Sequence, residues 1–270
     1  SYAADWSEYH GYQPVGTGDK LFHLDPLWAD PNIDFIGIDN YLPLADWREG
    51  EGHADAEWGS VYDLGYLQSN IEGGEGFDWY YAGPAARAAQ LRTPISDHWG
   101  EDWVWRYKDL RGWWSNPHHE RVGGERALTP TAWVPQSKPI WLTELGCAAV
   151  DKGANEPNRF VDAKSSESGL PHASTGARDE LMQHSYLRAL LGYYLDPSNN
   201  PVSALTGKPM IDVARSHVWA WDARPFPEFP TNTQVWSDGD NYARGHWISG
   251  RDSGRSLSGV VSEICREAGI

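Results

Sequence analysis

The sequence predicts an α/β fold, a barrel of parallel strands alternating with helices, of which the chain holds the second half. Three features point to it. Short apolar segments of strand length recur, each bounded by Gly, Pro, Asp or Asn, as in strands of a buried parallel sheet. Stretches with helical periodicity lie between them, giving the strand–helix alternation of parallel sheets. Long loops follow the strands, and one strand delivers a carboxylate at its C-terminal end, the end where such barrels build their sites. A full eight-stranded barrel takes about 250 residues, so the 270 present would suffice. Only four convincing strands can be read, however, and the first half of the barrel is therefore expected upstream of Ser1.

The first strand, Ser1–Ala4, begins at once. An apolar turn around Phe22, Leu27 and Trp28 precedes the second, Ile33–Asp39 (IDFIGID). Residues 40–95 form a long excursion with a Gly- and aromatic-rich stretch at 72–81. Trp103, Tyr107, Leu110 and Trp114 then fall at i, i+4, i+7 and i+11, which predicts one apolar helical face. Pro139–Glu144 is the third strand, and residues 147–177 follow as a polar loop with few apolar anchors. Leu187, Leu190, Leu191 and Tyr194 repeat at helical spacing until Pro197 stops the helix. The fourth strand is His217–Asp222 (HVWAWD). Residues 1–250 are read as the barrel-like domain. The Gly/Arg/Ser-rich link Ser249–Arg255 marks its end, and 251–270 is read as linker and the start of a following module. There Leu257, Val260, Val261 and Ile264 share one face of a helix over Ser256–Gly269.

Bulk composition narrows the function. A formal net charge of −16 argues against a nucleic-acid surface, which needs clustered Lys and Arg. Two cysteines, Cys147 and Cys265, are too few for a disulfide framework, and Cys147 reads as a buried small hydrophobe. No apolar run approaches the ~18 residues of a membrane span. The chain starts without Met, charged leader or signal core, as expected of a piece cut from a longer polypeptide.

The run Pro139-Ile140-Trp141-Leu142-Thr143-Glu144-Leu145-Gly146 carries the chemistry. Trp99, Trp103, Trp105, Trp113, Trp114, Trp133 and Trp141 surround it in sequence. A carboxylate among aromatic platforms suits gripping and cleaving sugars, so Glu144 is the candidate catalytic group. Tyr41 follows the second strand, where its phenol would help keep that carboxylate ionised, and Asp39 would orient a sugar hydroxyl; both positions read equally well as a strand-end turn. Asp5, Trp6, Glu8 and His10 follow the first strand and should reach the same face. On the last strand Trp219 and Trp221 share one side; Trp221 would be a stacking floor and Asp222 a hydroxyl contact, whereas core packing suits Trp219 better. Retaining hydrolysis needs a second carboxyl group. Asn155-Glu156-Pro157 has the sequence of an acid/base motif but lies downstream in a loop, so it is read as coincidence. The second acid is expected upstream of Ser1, and residues 1–270 alone are expected to show no turnover. Other patterns are weak. His118-His119-Glu120 lacks zinc-ligand spacing, Asp238-Gly239-Asp240-Asn241 lacks the distal Glu of a calcium loop, and nothing calls for a metal or cofactor.

The segments YAADWSEYHGYQP, HLDPLWADPNIDFIGIDNYLPLADWREG, FDWYYAGP, KPIWLTELGCAAVDKGANEPNRFVDAKSSESGLP and WAWDARPFPEFP together resemble the TIM-barrel-like domain of gene transfer agent host-specificity proteins, very large tail-tip proteins of phage-like particles. The resemblance covers nearly all of residues 1–250. It implies a (β/α)8, glycoside hydrolase-like fold in which these segments are strands five to eight, followed by a tail-protein module. It also implies the nucleophile position for Glu144, a location at the particle's tail tip acting on the host cell surface, and two kinds of partner: cell-surface glycan and other tail or baseplate proteins. The family's strand-four glutamate has no counterpart in this sequence. A non-catalytic structural or glycan-binding baseplate module is the alternative the residues leave open.

Overall fold

The structure, a computed structural model, describes residues 1–162, 165–166, 168–220 and 224–248. Trp221, Asp222, Cys265, the link at 249–255 and the helix expected at 256–269 lie outside them. In chain order the strands are β1 (Ala3–Asp5), β2 (Ile36–Asn40), β3 (Trp79–Tyr80), β4 (Thr93–Pro94), β5 (Arg121–Val122), β6 (Glu125–Arg126) and β7 (Ile140–Leu145). The α-helices are α1 (Asp25–Trp28), α2 (Leu64–Ser69), α3 (Pro84–Ala88), α4 (Leu110–Ser115), α5 (Glu180–Leu195) and α6 (Glu228–Thr231). The chain divides into two compact units that alternate along the sequence. One comprises Ser1–Asn40, Glu72–Glu144 and Gly192–His217; the other comprises Tyr41–Ile71, Leu145–Leu191 and the chain from Val218 onward.

The first unit is organised by a parallel sheet in the order β1-β2-β7. Neighbours in this sheet follow chain order, as in a barrel, rather than reversing as in a doubly wound sheet. β1 pairs with β2 through Ala3–Gly37, Ala4–Ile38 and Asp5–Asp39. A side chain at position 37 would stand 2.5 Å from the Tyr2 carbonyl, so only glycine lets β1 lie this close. Beyond β7, Ile140 bridges Ile211 in parallel and the His217 N–H donates to the Leu142 carbonyl at 2.9 Å. This segment holds the place of a fourth strand but is broken by a 3-10 turn at Val213–Arg215. No closed barrel forms among the described residues.

The sequence reads these strands as buried, but their two faces differ. Ala4, Ile36, Ile38, Ile140 and Leu142 are wholly buried; each large one contributes roughly 1.5–3 kcal/mol relative to exposure. Asp5, Asp39 and Thr143, on the alternate positions, keep contact with solvent. The helix expected through Trp103–Trp114 is instead two short pieces, a 3-10 turn at Asp102–Val104 and α4. Two local causes separate them. The Lys108 N–H is taken by the Gly76 carbonyl, and Asp109 caps a new start by accepting from Gly112 N at 2.6 Å. Of the residues at that spacing Trp103, Leu110 and Trp114 nevertheless bury, while Tyr107 is half-buried; Trp113 beside them is buried too.

Lys20 is a buried cation of this unit. Its Nζ donates to His10 Nδ1 at 2.6 Å, and burial pushes it from 10.5 down to about 7. The unfolded chain therefore holds the extra proton between those values. Stability is expected to rise as pH climbs through that window, with the full penalty present below about 7. Lys20→Met should raise the thermal midpoint more at about pH 6 than at about pH 10; equal shifts at both would remove the burial penalty from Lys20.

In the second unit Asp63 caps α2 by accepting from Tyr66 N at 2.8 Å, and Asp179 accepts from Met182 N at 3.0 Å in the first turn of α5. The region after β7 is anchored more firmly than its polar sequence suggests. Cys147, Ala148, Ala149 and Val150 are buried. Burial opposes charge on Asp151, but hydrogen bonds from Lys152, Thr175 N and Ser174 outweigh it and hold the carboxyl down at about 2. Gly146 adopts φ +151° with the Trp219 carbonyl 2.7 Å from where a Cβ would stand, so this exit from β7 requires glycine. Trp219, read from the sequence as core, is 48% exposed.

Candidate functional site

Each strand of the β1-β2-β7 sheet carries a carboxylate at its last or penultimate position. The register Asp5–Asp39 sets two of them side by side, and Asp39 Oδ1 accepts from Thr143 Oγ1 at 2.8 Å. Burial raises the Asp39 carboxyl above its ordinary value; the Thr143 hydrogen bond opposes this and the charge of Asp5 adds to it. Glu144 takes the other side. The Ile36 N–H donates to the Pro139 carbonyl at 2.9 Å, and the same register that sets Thr143 beside Asp39 sets Glu144 beside Asn40. By strand alternation Glu144 shares the side of Ile140 and Leu142, and Asp39 the opposite one. Glu144 is half-buried.

The turn after β1 opens a cleft. Asp5 Oδ1 accepts from Ser7 N at 2.8 Å, which bends the chain and brings Glu8 back toward β1. There Glu8 Oε2 accepts from the Tyr2 hydroxyl at 3.0 Å, and Oε1 lies 3.8 Å from His23 Nε2. Ser7, Glu8, Gly11, Tyr12, Gln13 and His23 line a cleft of about 420 Å³. His10, expected at the same face, is 1% exposed. Its Nε2 donates to the Trp103 carbonyl at 2.9 Å and its Nδ1 accepts from Lys20, leaving no ring nitrogen for a ligand. Trp6 packs on Tyr107 with ring centroids 5.4 Å apart.

A second cleft of about 500 Å³ is lined by Gln13, Tyr80, Ser96, Trp105 and Tyr107 among others. The β3–β4 hairpin supplies Tyr80. Trp105 is fixed by donating its indole N–H to Asp97 Oδ1 at 3.0 Å, and Asp97 in turn lies 3.5 Å from the buried Arg121. Among groups in the cleft wall, burial raises the Tyr107 phenol well above the ordinary range.

The remaining sequence candidates are dispersed. Tyr41 belongs to the second unit, where it is buried edge-on to His246 at 5.5 Å. Of the seven indoles grouped by sequence, Trp103, Trp113, Trp114 and Trp133 are core residues, and Trp141 stacks on Phe35 at 3.6 Å. Asn155 is a loop clamp: it accepts from Trp47 N at 2.9 Å and donates to the carbonyls of Trp47 and His172, while Glu156 pairs with Arg159 at 3.1 Å. His118 is buried against Asp25, and His119 Nδ1 faces the Ala127 carbonyl. Asp238 is held by both terminal nitrogens of Arg224. Among the described residues no three His, Cys, Asp or Glu side chains are grouped to hold a metal ion, and no helix is long and apolar enough to cross a membrane.

Sequence reasoning passes over Tyr12, Gln13, His23, Tyr80 and Ser96. The first two sit in YHGYQP directly after β1, which was the available signal. Tyr80 lies in the aromatic-rich stretch 72–81, but its pairing was not legible, because its strand is two residues long and α3 separates it from its partner. In comparisons with known proteins, the family model described as the GTA TIM-barrel-like domain matches residues 1–230. No curated protein sequence matches the chain.

Proposed function

This chain belongs to the gene transfer agent TIM-barrel-like domain family, and from that premise we propose that it is the glycan-recognising barrel of a tail-tip protein that acts at the host cell surface. In this reading residues 1–250 contribute strands five to eight of a (β/α)8 barrel, and 251–270 begin a following tail-protein module. Glu144 is the nucleophile of a retaining glycoside hydrolase. Asp5, Trp6, Glu8 and Asp39 contact the sugar near the strand ends. A glutamate from strand four supplies the acid.

The supporting observation is the cleft of about 420 Å³ that opens just past the C-terminal end of β1 with Glu8 in its wall. This is the end of the strands where barrel enzymes bind substrate. A second reading, a baseplate module that grips glycan without cleaving it, also has a specific observation behind it. The register neighbour of Glu144 is Asn40, not a carboxylate, and Asp39 lies on the opposite side of the sheet. Incubating the parent polypeptide with purified host envelope glycan separates the two. Release of soluble reducing ends supports the hydrolase. Retention of the protein on the glycan with no release supports the gripping module, and neither retention nor release removes glycan from the function.

A further inference from the structure

We infer that the two clefts meeting at Gln13 are one groove, built to hold a neutral oligosaccharide. Gln13 lines both, so a ligand in one reaches the other without leaving the first unit. Cavities of about 420 and 500 Å³ each fall in the range of small-molecule sites.

Each end offers what a sugar needs. At one end the exposed Tyr80 and the half-buried Trp105 supply ring faces for the C–H faces of pyranoses. Trp105 is held before any ligand arrives by Asp97, and the Tyr107 beside it packs on Trp6 and against Gly76, where a methyl group would stand 2.2 Å from the ring. At the other end Glu8 and His23 can accept from or donate to hydroxyls, and the amide of Gln13 does both at the junction.

The lining also selects ligand charge. Among the described residues neither cleft wall contains Lys or Arg, Glu8 contributes a carboxylate, and the chain carries a net charge of −16. A uronate or phosphate-bearing glycan would meet no Lys or Arg in these walls and a repelling field. A proline-rich peptide fits less well, because the Trp105 N–H is engaged by Asp97 and is not available to a peptide carbonyl. The ligand class rests on the glycan reading above; the groove itself needs no catalysis by Glu144.

Isothermal titration of the 270-residue chain with maltohexaose, cellohexaose, chitohexaose, hexagalacturonate and decaproline tests this. At least one neutral hexasaccharide should bind, with hexagalacturonate at least about tenfold weaker. Trp105→Ala should weaken binding by about tenfold, the scale of one lost aromatic contact. Tyr80→Ala, which removes an exposed ring and spares the core, should also weaken it and carries the test if Trp105→Ala does not fold. Unchanged affinity in Tyr80→Ala, tighter binding of the uronate, or binding of decaproline alone would overturn the inference, as would no binding by any neutral hexasaccharide. Binding is read without turnover, so a barrel that never hydrolyses glycan leaves this groove standing.

Discussion

Asp25→Ala is expected to destabilise the fold by about 2–4 kcal/mol, the cost of leaving buried hydrogen-bonding groups without their partner. Asp25 and His118 are both buried, and the two carboxylate oxygens lie 3.0 and 2.9 Å from His118 Nδ1. On the other side of the ring Nε2 faces the Trp113 carbonyl at 2.8 Å, which can only accept. Nε2 therefore donates there. Thr131 Oγ1 also donates to Asp25. Without the carboxylate, His118 Nδ1 and Thr131 Oγ1 both lose their partner beside a stack of rings, with Phe22 at 4.4 Å and Trp133 at 5.6 Å from the imidazole. Asp25→Asn keeps one acceptor oxygen and should cost less. Urea unfolding would measure both, and a loss below about 1 kcal/mol for Asp25→Ala would show that the pair contributes little.

That pair illustrates where sequence legibility stops. Asp25 and His118 are 93 residues apart, and nothing local in either neighbourhood announces the other. The adjacent histidines lack zinc-ligand spacing in the sequence; what each one touches was not readable there. Strands fared better. Ile36–Asn40 and Ile140–Leu145 form within three residues of the limits read from their apolar runs and flanking breakers, and membership of the barrel-like family follows the quoted segments. Register is another matter. That Asp39 adjoins Asp5 and Thr143, while Glu144 adjoins Asn40, depends on how separate strands align, and a shift of one residue would reverse it.

The helix expected over 103–114 failed for a related reason. Periodicity marks which residues bury, and three of the four do, but it does not report that Gly76 takes the Lys108 N–H from a distant loop. Indoles were the hardest to place. A core and a sugar platform both call for tryptophan, and only packing tells Trp113 from Trp105. The clefts were accordingly seen in part: Glu8 was legible from its place after β1, whereas Tyr80 and Gln13 needed the fold to bring them together.

Glu144→Gln should lower kcat for glycan hydrolysis by the parent polypeptide by at least about 10³-fold while leaving KM within a few-fold, the pattern of a lost group that acts only in the transition state. The substitution keeps the size and planar shape of the side chain beside Asn40, so the sheet and its register should survive. A carboxamide, however, cannot attack an anomeric carbon. Chemical rescue separates nucleophile from structural support: the shorter Glu144→Ala leaves space at the strand end, and added azide should restore turnover by forming a glycosyl azide in place of the enzyme-bound sugar. Asp39→Ala is the informative companion, because it leaves the same kind of space on the other side of the sheet, where Asp39 contacts Thr143. If Glu144 is the nucleophile, azide rescues Glu144→Ala and not Asp39→Ala. Should Glu144→Gln retain more than about a tenth of the activity, or azide rescue Asp39→Ala instead, the reaction runs on the Asp5–Asp39 side of the sheet and Glu144 is a structural residue of β7.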